Sequence, residues 1–360
     1  MGGEEASRIE AYARLLVERC VDVQPGWQVL VFSSPLGRPL FEEVCRCIGR
    51  RGAYALPRLL LPGLESLWAL EAPQELLSTV APIQRYAYEQ TDCLIHVEAP
   101  ENTRDGSNVS PERMALVRKA RRPLFEAFAS DSKPWVGCQY PTPALAQDAG
   151  MTLADFTEFL FGAVLVDWDE AEREMGRIAE RFDRADRVRI VGDGTDLTFS
   201  LRGRQGKISA ADANMPSGEV FYSPVEDSAE GVVTFSEYPA CYDGHEVTSV
   251  RLVFRGGRVV ESSAGSDEAF LHAALAIDEG AAVLGEFGIG CNRGIQRHTK
   301  NTLFDEKIYG TVHLAVGNGF PFIGGTNVSA LHWDMVKDLR ADGRIECDGE
   351  LVQENGEWRF

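Results

Sequence analysis

Trp27-Gln-Val-Leu-Val-Phe-Ser33 is an apolar run too short for a helix. Pro25-Gly26 breaks the chain before it, a helical pattern follows over 39–50, and a second apolar run occupies 53–61. Apolar runs of this length bounded by turn residues read as buried strands. Cys93-Leu-Ile-His-Val-Glu98 and Trp135-Val-Gly-Cys138 repeat the signature. Between them, Asn108-Val-Ser-Pro-Glu opens a helix, with Ser110 as N-cap and Pro111 at the first helical position. Upstream, Ile9, Tyr12, Ala13, Leu16, Val17 and Cys20 form a stripe at helical spacing. Strands alternating with helices predict an α/β N-terminal domain with a mostly parallel sheet covered on both faces.

Ser33-Ser34-Pro35-Leu36-Gly37 follows the first strand and has neither the glycine spacing nor the lysine of a phosphate loop, so no nucleotide site is expected there. His96, inside an apolar strand, reads as a core histidine. Helices are expected after Thr152 and over 168–183, and a strand over 186–191.

Beyond that point strands are joined by turns, over 194–201, 219–223, 231–235 and 247–254. The last of these runs into a Gly256-Gly257 hairpin signal before Arg258-Val-Val-Glu-Ser. Residues 267–280 read as a helix. The chain therefore divides into residues 1–185, the α/β domain, and 186–360, a β-rich α+β domain. Its 360 residues suffice for each to bury its own core.

The net charge of −19 argues against a broad nucleic-acid surface, which needs Lys and Arg in excess. No apolar run approaches the ~18 residues of a membrane span. The start of the chain is charged and lacks the apolar core of a signal peptide. The eight cysteines form no Cys-x-x-Cys pair and read as buried, reduced thiols of a cytoplasmic protein.

The second domain carries the chemistry. Pro216-Ser-Gly-Glu219 is a turn that delivers a carboxylate at the first residue of an apolar strand. Glu286 stands in Leu284-Gly-Glu-Phe-Gly-Ile-Gly290, where a carboxylate needs a cation or a donor. His313 lies in another apolar strand. His332-Trp-Asp334 puts two ligand types on one side of a strand, because side chains repeat every second residue. Each alone has a plainer reading: a cap or salt-bridged group for a glutamate, a core position for His313, chance for the His-x-Asp pair. Together they are five hard or borderline ligands, enough for two divalent ions sharing a carboxylate. His245, His272 and His298 lie in polar surroundings and read as surface residues.

Taken in order, several motifs carry a resemblance over most of the chain. They are Trp135-Val-Gly-Cys-Gln-Tyr-Pro-Thr-Pro-Ala144, Ala149-Gly-Met-Thr-Leu153, Pro216-Ser-Gly-Glu-Val-Phe221 and Gly285-Glu-Phe-Gly-Ile-Gly290. Asn301-Thr-Leu-Phe-Asp-Glu-Lys307, His313-Leu-Ala-Val-Gly317 and Ser329-Ala-Leu-His-Trp-Asp-Met335 complete the series. The sequence resembles the thermophilic metallo-aminopeptidase family, the cobalt- or zinc-dependent leucyl-type aminopeptidases. The resemblance implies hydrolysis of the first peptide bond of peptides, with two divalent ions per chain (Zn, Co or Mn) held by Glu219, Glu286, His313, His332 and Asp334. It makes Glu306 a further ligand or the catalytic base. It also implies a β-rich catalytic domain and homodimers whose active sites face an enclosed cavity.

The sequence departs from the family at one place. A tyrosine is usual seven residues after the histidine matching His313, and here that residue is Phe320, which cannot donate a hydrogen bond. Tyr309 is the substitute nearest in sequence. Two other readings stand beside the peptidase. A related group of ring-cleaving dioxygenases of dihydroxypyridines keeps a His-x-Asp pair around a single iron, and a non-catalytic homologue would keep only the metal cage.

Overall fold

Strand Gln28–Ser33 pairs in parallel with Tyr54–Leu59 on one side and Cys93–Glu98 on the other. Trp135–Gln139 and then Ala213–Met215 extend the sheet, again in parallel, so every pairing in it among the described residues is parallel, as expected. The computed structural model describes residues 3–129 and 133–360. Its chain forms two units, one running to Leu165 and including Ala211–Pro216, the other comprising Val166–Ala210 and Ser217–Phe360. The strand Ala213–Met215 had no strand signature of its own; it is three residues long and immediately precedes the Pro216 turn. The helix Pro111–Ala129 begins as its sequence predicts, with the Arg113 N–H donating to Ser110 Oγ at 3.4 Å. His96 packs edge-on against Phe32, with ring centroids 6.1 Å apart.

The second unit holds two antiparallel sheets. Eight strands form one of them, in the order Arg258–Ser263, Val250–Arg255, Glu230–Phe235, Thr195–Ser200, Arg187–Gly192, Arg344–Cys347, Glu350–Glu354, Glu357–Trp358. The hairpin between Arg255 and Arg258 turns at Gly256 and Gly257, both at positive φ (+54° and +79°), the conformation that favours glycine. The helix expected over 267–280 is shorter, Glu268–Leu275. Asp278 ends it: its carboxylate accepts from the Gly280 and Ala330 N–H groups and from Ser329 Oγ, competing with helical bonding.

Five strands form the other sheet, in the order His332–Asp338, Thr311–Gly317, Leu284–Gly290, Glu219–Tyr222, Lys207–Ser209. Its inner face packs on the eight-stranded sheet. Val220, Tyr222, Phe287, Ile289, Val312, Leu314, Trp333 and Met335 share a core with Val188, Leu197, Phe199, Val233, Leu252 and Phe254. Phe287 is the centre of it, with its ring 4.9 Å from Phe199 and 5.8 Å from Phe182. Fully burying such a ring stabilises the unit by about 1.5–3 kcal/mol. Among the described residues no helix is long and apolar enough to cross a membrane. All eight cysteines are free thiols, five of them buried and three half-buried.

Candidate metal centre

The opposite face of the five-stranded sheet follows from the alternation. Strand His332–Asp338 sends Trp333 and Met335 into the core, so His332 and Asp334 share the other side. Thr311–Gly317 does the same with Val312, Leu314 and Val316 against His313 and Ala315. Strand Leu284–Gly290 needs a correction to its period, because Leu284 and Phe287 both face the core. The register slips by one residue between Leu284 and Glu286, and the inserted Gly285 turns Glu286 to the face of the histidines. Glu219 opens its strand opposite Gly290 on that same face.

Small residues let these groups meet. Ala315 stands directly between Glu286 and Asp334 in the ladder, and Gly288 between Phe221 and His313. A Cβ on Gly288 would lie 1.9 Å from His313 Cε1, so the imidazole lies over bare backbone. Glu219 follows a turn fixed from both sides. The Gly218 N–H donates to the Ser209 carbonyl at 3.1 Å, and the Cys291 N–H donates to that of Gly218 at 2.9 Å.

The result is convergent. His313 Nε2 lies 3.4 Å from Glu286 Oε1 and 3.6 Å from Glu219 Oε2. His332 Nε2 lies 3.0 Å from Glu286 Oε2 and 3.4 Å from Asp334 Oδ2. Glu286 is thus a carboxylate whose two oxygens face two different histidines. Donor atoms of Glu219, Glu306 and His313 lie within 4.8 Å of one another, and so do those of Glu286, His313 and Asp334. All six residues predicted from sequence come together here. Glu219, Glu286 and His313 are buried, while Glu306, His332 and Asp334 are partly exposed.

Tautomers follow from the hydrogen bonds. His313 Nδ1 donates to the Glu306 carbonyl at 3.0 Å, and His332 Nδ1 to that of Asn318 at 2.9 Å. Carbonyls only accept, so each Nδ1 carries hydrogen and each Nε2 is turned to the carboxylates. Lone pair against carboxylate is attractive only with a proton or a metal cation between them. Asp334 Oδ1, buried, has no hydrogen-bond partner among the described residues. This donor set, imidazole nitrogens with carboxylate oxygens and one oxygen unsatisfied, fits divalent cations.

The electrostatics are those of crowded carboxylates. Burial alone would lower His313, but the hydrogen bond and charge of Glu286, with Glu219 and Asp334, push it up to about 10. Burial likewise opposes His332, which Asp334 and Glu286 push up to about 12. Burial pushes Glu219 up to about 7 against the pull of Lys307. In Glu286 burial is outweighed by the hydrogen bonds from both histidines, which hold the carboxyl below its ordinary range.

Lys307 escaped the sequence reading. Its side chain is fully buried, with Nζ 3.3 Å from Glu219 Oε1 and in contact with Glu306 Oε1. Burial works against its charge, yet the two carboxylates hold its pKa above the ordinary lysine value. The available signal was a lysine directly after Glu306 in a mostly apolar setting. His298 corrects an expectation, since its side chain is mostly buried rather than at the surface. It stacks on Tyr238 at 4.6 Å and faces Asp305 Oδ2 at 3.1 Å. Tyr309 is engaged elsewhere: its hydroxyl accepts from Arg293 and donates to Glu174. Phe320 packs against His332 with ring centroids 5.1 Å apart, beside Phe221 and Phe322.

Comparison with known proteins places the chain in a family. A profile described as thermophilic metalloprotease (M29) matches residues 5–358. Aminopeptidase AmpS of Bacillus subtilis (strain 168) is 33% identical over 99% of both chains. Aminopeptidase 2 of Geobacillus stearothermophilus is 26% identical over 98% of both. Wild-type AmpT from Thermus thermophilus superposes with a TM-score of 0.85 at 22% identity, covering 98% of this chain and 99% of that one. The 2,5-dihydroxypyridine dioxygenase of Pseudomonas putida KT2440 shares the fold at a TM-score of 0.62 and 14% identity, over 98% and 96% of the chains. The chain belongs to the thermophilic metalloprotease (M29) family and is a metal-dependent peptide hydrolase.

Proposed function

We propose that the protein is an aminopeptidase that removes the N-terminal residue of peptides, and that Glu219, Glu286, His313, His332 and Asp334 would hold two divalent cations. The observation that carries this reading is the pair of imidazoles, each anchored through Nδ1 and each presenting Nε2 to carboxylates. One cation would be held by His313 and Glu219, with Glu306 beside it, and the other by His332 and Asp334. Its relatives' names, Aminopeptidase AmpS and Aminopeptidase 2, support the choice of substrate. The second ligand group around Glu219 weighs against the single-iron dioxygenase, whose likeness to this chain is one of fold alone.

When bound, the cations supply Lewis acidity toward the scissile carbonyl and the attacking water. The chain's own residues do the rest. Glu306 is partly exposed and has one oxygen held by Lys307, leaving Oε2 to take a proton from water and return it to the leaving amine. Phe320 excludes water beside His332 and donates nothing to a developing oxyanion. Zinc, cobalt or manganese would each suit the donor set. A homodimer and a cytoplasmic location belong to the same reading.

The test is metal analysis and hydrolysis of a dipeptide or an amino-acid anilide after loading with zinc, cobalt or manganese. Glu286→Gln should lose bound metal and at least about a thousandfold in rate while the circular dichroism stays native. A variant that keeps its metal and its turnover refutes Glu286 as a ligand. Oxygen-dependent ring cleavage with one ferrous ion, and no peptide hydrolysis, would replace the reading with the dioxygenase.

A further inference from the structure

The two sides of Glu286 are not equivalent. On the side of His332 and Asp334, the paired groups are carboxylates and imidazoles only. Among the described residues no lysine or arginine pairs with Glu286 or Asp334, and Asp334 Oδ1 is buried without a partner. On the side of Glu219 and Glu306, both carboxylates already touch the buried ammonium of Lys307. A cation entering beside Asp334 therefore satisfies an oxygen that nothing else satisfies. A cation entering beside Glu219 must share oxygens with an ammonium that stays in place, whereas an imidazole gives up its proton as it becomes a ligand.

We propose that Lys307 makes the ion beside Glu219 and Glu306 the weaker and exchangeable one, so that the side of His332 and Asp334 fills first. This rests on the two-ion reading above. Lys307 is a positioning residue: it takes Glu219 Oε1, which leaves Oε2 directed at His313 Nε2, 3.6 Å away. A carboxylate has lone pairs for both partners, so the ion is weakened and not excluded. The arrangement also keeps the fold intact without the second ion, because the buried Glu219 is never left without a counter-charge. The consequence for catalysis is a site whose second ion follows the free metal concentration.

The experiment uses the full chain stripped of metal with a chelator. Calorimetric titration with zinc should show two steps for the native protein. Crystals soaked with one equivalent of zinc should give anomalous density beside His332 and Asp334. In Lys307→Met the weaker step should tighten by about tenfold or more, since a unit charge a few ångströms from a divalent ion is removed. The stronger step should stay within about threefold, and the metal-free variant should melt lower and recover with two equivalents of zinc. Lys307→Arg should retain the two separated steps. First-equivalent density beside Lys307, or a weaker step that Lys307→Met leaves unchanged or loosens further, overturns the assignment. Should Lys307→Met not fold, the one-equivalent diffraction on the native protein decides alone. If the native protein takes up a single ion, the two-ion reading fails; gain of a second ion by Lys307→Met then supports the role of Lys307, and no gain overturns it too.

Discussion

Along strand His332–Asp338, Trp333 and Met335 face inward while His332 and Asp334 face away, and along Thr311–Gly317 the inward Val312, Leu314 and Val316 oppose His313 and Ala315. One backbone thus serves two solvents. The inner face is continuous with the neighbouring sheet through Phe199, Phe254 and their neighbours, and each side chain there is one of many. The outer face holds few side chains, small residues between them, and charged groups whose Nε2 and carboxylate atoms face one another. The first face is stabilised by area, the second by geometry, and the two should fail differently when changed.

Adjacent residues give the sharpest test. Phe287→Ala empties the centre of the core and should destabilise the second unit by about 3–5 kcal/mol, read as a lowered denaturation midpoint. Its zinc affinity, measured where it is still folded, should stay close to native. Gly288→Ala should do the reverse. Its Cβ would meet His313 Cε1 at 1.9 Å, so the imidazole must swing from its carboxylates. Zinc affinity should fall by about 10–100-fold, the usual effect of misorienting a ligand, with a smaller loss of stability. Equal losses of stability and affinity in both variants would mean that the two faces are not separable.

How much of this could be read beforehand follows the same division. Alternation and turn chemistry are local, so the strand at Trp27–Ser33, the Gly256-Gly257 hairpin and the pairing of His332 with Asp334 were legible. Features set by distant partners were not. The Gly285 insertion is visible only once Leu284 and Glu286 are known to need opposite faces. Residues Ala213–Met215 find their partner in Trp135–Gln139, far back in the chain. Lys307 looked like an ordinary charged residue because nothing local reveals that Glu219 lies 3.3 Å from its ammonium. His298 was misjudged for the same reason, since its polar neighbours in sequence are not its neighbours in space.

Acidity probes the outer face alone. His313 and His332 hold their Nε2 protons up to about 10 and about 12 when no cation is bound, and a cation must displace both. Raised imidazole pKa values contribute most to folding below the unfolded value near 6.5, and that contribution is lost progressively as pH climbs from there to the folded values. The metal-free protein should therefore lose histidine-linked stability steadily between pH 6.5 and 9, read as a falling denaturation midpoint. Zinc uptake behaves oppositely. It releases two protons over that range, so the apparent overall affinity should rise by up to about 100-fold per pH unit. Titration calorimetry in buffers of different ionisation enthalpy counts the protons directly. A count near zero would mean that the histidines are not the ligands.

The smallest expected effect concerns Phe320. Its ring already lies against His332, Phe221 and Phe322, so Phe320→Tyr adds a hydroxyl without displacing the aromatic cluster. The hydroxyl of Tyr309 does not fill this role, being bound to Arg293 and Glu174. A donor beside the reacting carbonyl stabilises an oxyanion more than the ground-state carbonyl, so the gain belongs in kcat and not in KM. Without partners evolved to orient the new group, the increase should be about tenfold or less, and the denaturation midpoint should hold. A kcat that stays level or falls would place residue 320 away from the developing charge, and would make the Phe221–Phe320–Phe322 cluster a wall of the site rather than part of its chemistry.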